Sequence, residues 1–265
     1  MALASAAGVF VPAVYAKETT SWAAQGAGQD VVNLFIVFPA LVVSAWYAGR
    51  GSQRAVLVWL GIMIYVVYSY VMYAFFVHFG PIFPVYVAVL GLSSYALAGA
   101  ALDIRAAEWR RLWAPVFRSR AVSVMLLFVA VAFGCMWVVA IVRALASGTA
   151  PEGVADIGLP VNPVHVLDLA FLLPLTFATG VAHWKGRAFG LVLATPLLVF
   201  FVLMDAAIIS MVFYMRAAGV PTSLALVPAM VAGIAISIAL TVVMLRNAYA
   251  PPPIGGAAPA HAGTS

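Results

Sequence analysis

The sequence predicts an all-α fold: a polytopic transmembrane helix bundle of seven spans, or eight on one reading of its first residues. The amino terminus is outside and the carboxyl terminus cytoplasmic. Three observations predict this. Of 265 residues, 66% are hydrophobic and 8% are charged, against roughly 25% charged in a soluble domain. Seven apolar stretches reach the about 20 residues that a helix needs to cross a bilayer's hydrocarbon core. Basic residues alternate between the two ends of those stretches. The same composition argues against a soluble enzyme, a nucleic-acid-binding domain and a disulfide scaffold.

The elements follow in chain order. Residues 1–29 form an extracytoplasmic segment whose start, Met1 to Ala16, is apolar but short of a span. It reads as a degenerate signal peptide, an interfacial segment, or part of an extra membrane element. The missing basic start argues against a signal, and the partial membrane element is favoured. Residues 30–247 form the bundle. Its spans run Val31 to Ala48, Ala55 to Val77, Ile82 to Leu102, Ala121 to Val142, Val164 to Ala182, Leu191 to Met215, and Leu224 to Leu245. They are helices, because a lone strand leaves backbone groups unpaired in lipid. Pro39, Pro174, Pro196 and Pro228 fall inside spans and predict kinks rather than breaks. Between the third and fourth spans, Asp103 to Arg120 reads as a basic amphipathic segment at the membrane surface. Residues 248–265 form an Ala/Gly/Pro-rich tail that composition predicts to be disordered.

Orientation follows from the basic residues. The ends that include the first interhelix loop hold Arg50, Arg54, Arg105, Arg110, Arg111, Arg118, Arg120, Lys185, Arg187 and Arg246. The opposite ends hold Lys17, Arg143 and Arg216, which completes the 13. The positive-inside rule makes the basic-rich side cytoplasmic. The formal charge of +5 is then read as topology, with anionic-lipid contact by Arg110 and Arg111, and not as nucleic-acid binding. Cys135, the single cysteine, rules out an intrachain disulfide.

Polar residues inside spans carry the functional signal, since an Asp at a helix centre costs ~2.5–3.5 kcal/mol on insertion scales. Asp205 lies deep in the sixth span. Asp168 opens the fifth, three residues after His165, so the two share a helical face. Gln29, Asp30 and Asn33 stand at the start of the first span, where an acid also favours a helix amino end. Tyr65, Tyr68, Ser69 and Tyr73 fall on one side of the second span, which His78 ends. Topology places these groups in the extracytoplasmic half. The expected site is an outward-opening polar pocket ringed by Gln29, Asp30, Asn33, Tyr65, Ser69, Tyr73, His78, His165, Asp168 and Asp205. Two stripes of small residues, Gly91, Ser94, Ala98 and Ala101 in the third span and Ala229, Gly233 and Ser237 in the seventh, read as helix-packing faces.

Such a set could exchange protons with a lipid-soluble substrate, or bind a cation or relay protons. A metal site is not predicted, since His-x-x-Asp with one remote His is a weak pattern. No motif indicates a cofactor: the sequence has no His-Glu-x-x-His, no Gly-x-Ser-x-Gly and no Walker phosphate loop. Both lysines, Lys17 and Lys185, lie outside the spans, which argues against a retinal Schiff base. No convincing internal repeat is evident, and since seven spans do not divide into equal halves, an inverted-repeat transporter would need one accessory helix.

The run Gly28-Gln29-Asp30-Val31-Val32-Asn33-Leu34 resembles an uncharacterised group of bacterial multi-pass membrane proteins. So do the Tyr-rich second span, His165-Val166-Leu167-Asp168-Leu169, and Lys185-Gly186-Arg187. The resemblance covers roughly residues 15 to 247. It implies a bacterial cytoplasmic membrane and no particular activity. It also implies that Met1 to Ala16 is a shortened remnant of a longer apolar segment. The expected function is binding or transport of a small molecule or ion. The alternatives are an intramembrane acid–base enzyme on a lipidic substrate and an accessory subunit with a membrane-protein partner.

Overall fold

The computed structural model describes residues 1–103, 119–151 and 153–247. The described residues form helices and connecting loops with no strand among them, and seven helices are long and apolar enough to cross a membrane. They run Thr20–Gly49, Gln53–Phe76, Phe83–Asp103, Arg120–Ser147, Pro163–Trp184, Ala188–Ala217 and Leu226–Asn247. This architecture is compatible with an integral membrane protein. The surface segment with Arg110 and Arg111 and the tail 248–265 lie outside the described residues.

The second and sixth spans form the centre. In each, 56% of the most apolar stretch is buried, against 11% in the third, fourth and seventh. The sixth span packs against the first, second, fifth and seventh, while the third lies on the second and the fourth on the fifth. Two glycines set the closest crossings. A Cβ at Gly61 would stand 2.5 Å from the Pro196 carbonyl oxygen, and one at Gly28 would stand 2.8 Å from the Met211 Cα. Bulkier residues would hold these backbones apart. In lipid, where apolar burial between helices gains little, such close packing contributes to association together with interhelix hydrogen bonds such as Ser210 to the Gly28 carbonyl at 2.7 Å. Phe200 seals the centre by packing edge-on against Tyr68 and more obliquely against Tyr65.

The first span departs from expectation at its start. The helix begins at Thr20, capped by the Thr19 hydroxyl accepting from the Trp22 N–H at 3.2 Å. Asp30 therefore lies well inside the helix and does not serve its amino end. The reason is compositional. Ser21, Gln25, Gly26, Gly28 and Gln29 lower the local hydropathy, yet Ser21, Gly28 and Gln29 are buried. Residues 1–16 do not reach span length. Ala2–Phe10 is a helix that packs on the first span with Ala4, Ser5 and Gly8 buried, and a tight turn, Pro12–Tyr15, follows it.

The small-residue stripe of the third span is not a packing face among the described residues. A Cβ at Gly91 would meet nothing within 4 Å, and Ala98 and Ala101 are exposed. The helix packs on the second span through Tyr86 instead, whose buried ring meets those of Tyr70 and Tyr73.

The first and fifth spans share a local irregularity. In each, one wide turn with i→i+5 bonding covers Asn33–Val37 and Asp168–Leu172: the Phe38 N–H donates to the Asn33 carbonyl and the Leu173 N–H to that of Asp168. A proline, Pro39 or Pro174, stands two positions after each turn, behind Phe38 or Leu173. Proline lacks the N–H and crowds the carbonyl four residues back, so the helix re-registers just before it. The polar residue that opens each wide turn, Asn33 or Asp168, has a second polar residue three positions earlier, Asp30 or His165.

Candidate functional site

A cavity of about 600 Å³ lies among the first, second, fourth, fifth, sixth and seventh spans. Asp168 and Asp205 both line it, and so do Gln29, Tyr68 and Tyr73. At 1.5 Å per residue, Asp205 sits about 18 Å from the basic-poor end of its helix. The two carboxylates come from helices that run in opposite directions and reach one space because the sixth span packs directly on the fifth.

Their environments differ. Asp168 is buried and accepts two hydrogen bonds, from the Tyr68 hydroxyl and the Trp137 indole N–H, each at 2.9 Å. Trp137 in turn packs against His165 with ring centroids 4.5 Å apart. Asp205 is half-buried and has no hydrogen-bond or ion-pair partner among the described residues. Its neighbour is the backbone of Gly233. The seventh-span stripe is therefore partly a site wall: Ala229 and Gly233 line the cavity, and Ser237 is fully buried.

Asp30 does not line the cavity. It is buried behind it, within a chain of side-chain hydrogen bonds. Tyr15 donates to its Oδ2 and Tyr73 to its Oδ1 at 3.0 Å. Tyr73 accepts from Asn33 at 3.4 Å, and Asn33 accepts from Tyr65 at 3.0 Å. Beside them Gln29 donates to Ser69 at 2.8 Å. Fully satisfied buried polar groups of this kind fix helix register at little net cost. Tyr15 and Tyr73 both line the cavity as well, so they join the two polar regions. Burial and the neighbouring Asp30 carboxylate push the Tyr15 phenol well above the usual tyrosine value, so it remains a donor.

The sequence-predicted residues thus divide into three groups. Asp205, Asp168, Gln29 and Tyr73 face the cavity. Asp30, Asn33, Tyr65 and Ser69 are buried behind it, and His165 sits beside it against Trp137. His78 stands apart at the basic-poor surface, where its ring nitrogen and backbone N–H both meet the Glu18 carboxylate, at 2.9 and 2.7 Å. Lys17 bonds the Phe79 carbonyl and Thr19 that of Asp156, so residues 17–19 tie down this end of the bundle.

Sequence reasoning missed Trp137, Tyr15 and Gly233 as site residues. Trp137 carried a readable signal: an indole N–H far from both interfaces needs a buried acceptor. Gly233 carried none, because its role depends on which helix lies beside the sixth span. Among the described residues, no His, Lys or Arg lines the cavity, and no group of three His, Cys, Asp or Glu could hold a metal ion.

Comparison with family models, with curated proteins and with solved structures finds no match. The functional reading therefore rests on the geometry of this chain.

Proposed function

We propose that the protein binds a small molecule or ion in the cavity at Asp205 and moves it across a bacterial cytoplasmic membrane. On this reading the basic-rich side is cytoplasmic, so Asp205 lies in the extracytoplasmic half. One observation carries it. An intramembrane carboxylate without a partner among the described residues faces a space large enough for a ligand, and intramembrane acids are costly and mark functional sites by default. Asp168, already held by two donors, is the positioned second carboxylate. The matching wide turns before Pro39 and Pro174 add support. Wide turns of this kind concentrate at functional sites. Paired features in spans one and five also fit a three-span unit used twice in the same orientation, with the fourth span as the link.

The test is modification by a membrane-soluble carbodiimide, read by peptide mass spectrometry on protein in lipid discs. The expected adduct is at Asp205, ahead of Asp168 and Asp30. An unmodified Asp205 beside a modified Asp30 would overturn an accessible site at Asp205.

A further inference from the structure

We propose that the cavity takes a lipophilic organic cation, an ammonium or phosphonium centre carrying bulky apolar groups. Its charge pairs with the Asp205 carboxylate, and its apolar body enters between the fourth and seventh spans. This rests on the reading above, that the cavity is the binding site, and adds the class of ligand.

Charge is the first argument. Two carboxylates line the cavity and, among the described residues, no Lys, Arg or His does. Asp168 has two donors, while Asp205 has none among the described residues. A carboxylate in a low-dielectric site is best met by a paired positive charge. An anionic ligand would meet two acids and, among the described residues, no cationic side chain.

The walls are the second argument. The same cavity is lined by the rings of Trp22, Tyr68, Phe133, Trp137 and Phe200, of which Tyr68 and Trp137 bond Asp168 directly. Ring faces attract cations, organic ammonium groups above all. A bare calcium-type ion needs about 6–8 oxygen ligands, and Asp205 instead has Met204, Ile208 and the Gly233 backbone around it. The volume of about 600 Å³ falls within the range of roughly 300–1,000 Å³ found for small-molecule sites.

The opening is the third argument. Among the large lining residues, the most exposed are Phe128 and Met136 of the fourth span and Leu226 and Ile236 of the seventh. Each of these two helices has its main packing elsewhere, the fourth on the fifth and the seventh on the sixth. The seam between them faces the side that lipid would cover. A ligand entering there must dissolve in the bilayer, which requires large apolar groups around its charge.

The experiment compares two ions of like shape and opposite charge, tetraphenylphosphonium and tetraphenylborate. Equilibrium dialysis would measure each against the full chain in neutral-lipid discs, with empty discs as the blank. The expected result is saturable, protein-dependent binding of tetraphenylphosphonium alone. Asp205→Asn should weaken it by about tenfold or more, and Asp205→Glu should retain most of it. Ile236→Trp narrows the seam without touching Asp205. It should slow phosphonium uptake, followed as a time course before dialysis reaches equilibrium, while leaving thermal unfolding unchanged, which separates ligand access from folding. Equal binding of both ions, or phosphonium binding indifferent to Asp205→Asn, would overturn the cationic class. If phosphonium fails to bind while the wild type retains some neutral molecule that Asp205→Asn loses, the cavity reading stands and the cationic class falls. If no ligand depends on Asp205 or on Ile236, both fall together.

Discussion

Gly233 lies directly against Asp205: a Cβ built on Gly233 would stand 2.5 Å from the Asp205 Oδ2. The carboxylate thus rests on bare backbone, and no side chain comes between it and the seventh span. The space beside Asp205 is kept open by the absence of a methyl group. Gly233→Ala is expected to push the carboxylate aside and weaken ligand retention by about tenfold, with a change in stability of about 1 kcal/mol or less. Ligand retention and thermal unfolding of the same sample check this. A variant that unfolds easily yet keeps its ligand would contradict it.

The amino-terminal helix packs against Asp30 through Gly8, where a Cβ would overlap the Asp30 carboxylate. Gly8→Leu should therefore detach the helix 2–10 without disturbing the spans. Ser5→Cys, buried in the native packing, would report it. In a Cys135→Ser background, maleimide labelling at position 5 should be slow with Gly8 and faster by about tenfold or more with Gly8→Leu. Equal labelling rates would show that the helix does not depend on Gly8.

Tyr15 gives a pH dependence. Burial first, and Asp30 second, hold its phenol well above the ordinary value. The folded state therefore favours the neutral phenol. That contribution is fully present below about pH 10, the ordinary tyrosine value, and is lost as pH rises beyond it. Tyr15→Phe should lower stability by about 1–3 kcal/mol at neutral pH, since a buried acceptor loses a donor. It should also flatten the alkaline decline. Unfolding midpoints measured from pH 7 to 11 check both parts.

Orientation is tested directly. With Cys135 replaced by Ser, a cysteine at Gly51 should react with an impermeant maleimide from the cytoplasmic side, and one at Gly219 from the other. The reverse pattern would invert the assignment of the basic-rich side.

Much of the fold was legible in composition and spacing, because lipid imposes helices of a set length on apolar sequence. The start of the first span was not. Its residues Ser21 to Gln29 read as polar, and their burial comes from the sixth span and the cavity, neither of which a local window can register. The acids were legible for the same reason that they are costly: Asp168 and Asp205 stand out in apolar runs. Their convergence on one cavity depends on the sixth span packing against the fifth, which is a tertiary fact. So is the separation of Asp30 from that cavity, since Gly8 and Tyr15 cover it from a segment with no strong pattern of its own. His78 looked like a pocket residue by depth alone, but its partner is Glu18, in the short connection ahead of the first span.

The most direct test of the central claim is native mass spectrometry of the gently solubilised chain, wild type beside Asp205→Asn. The account predicts a small molecule retained by the wild type and lost from the variant, with both proteins folded. Identical spectra with the same adduct on both would contradict a binding site at Asp205.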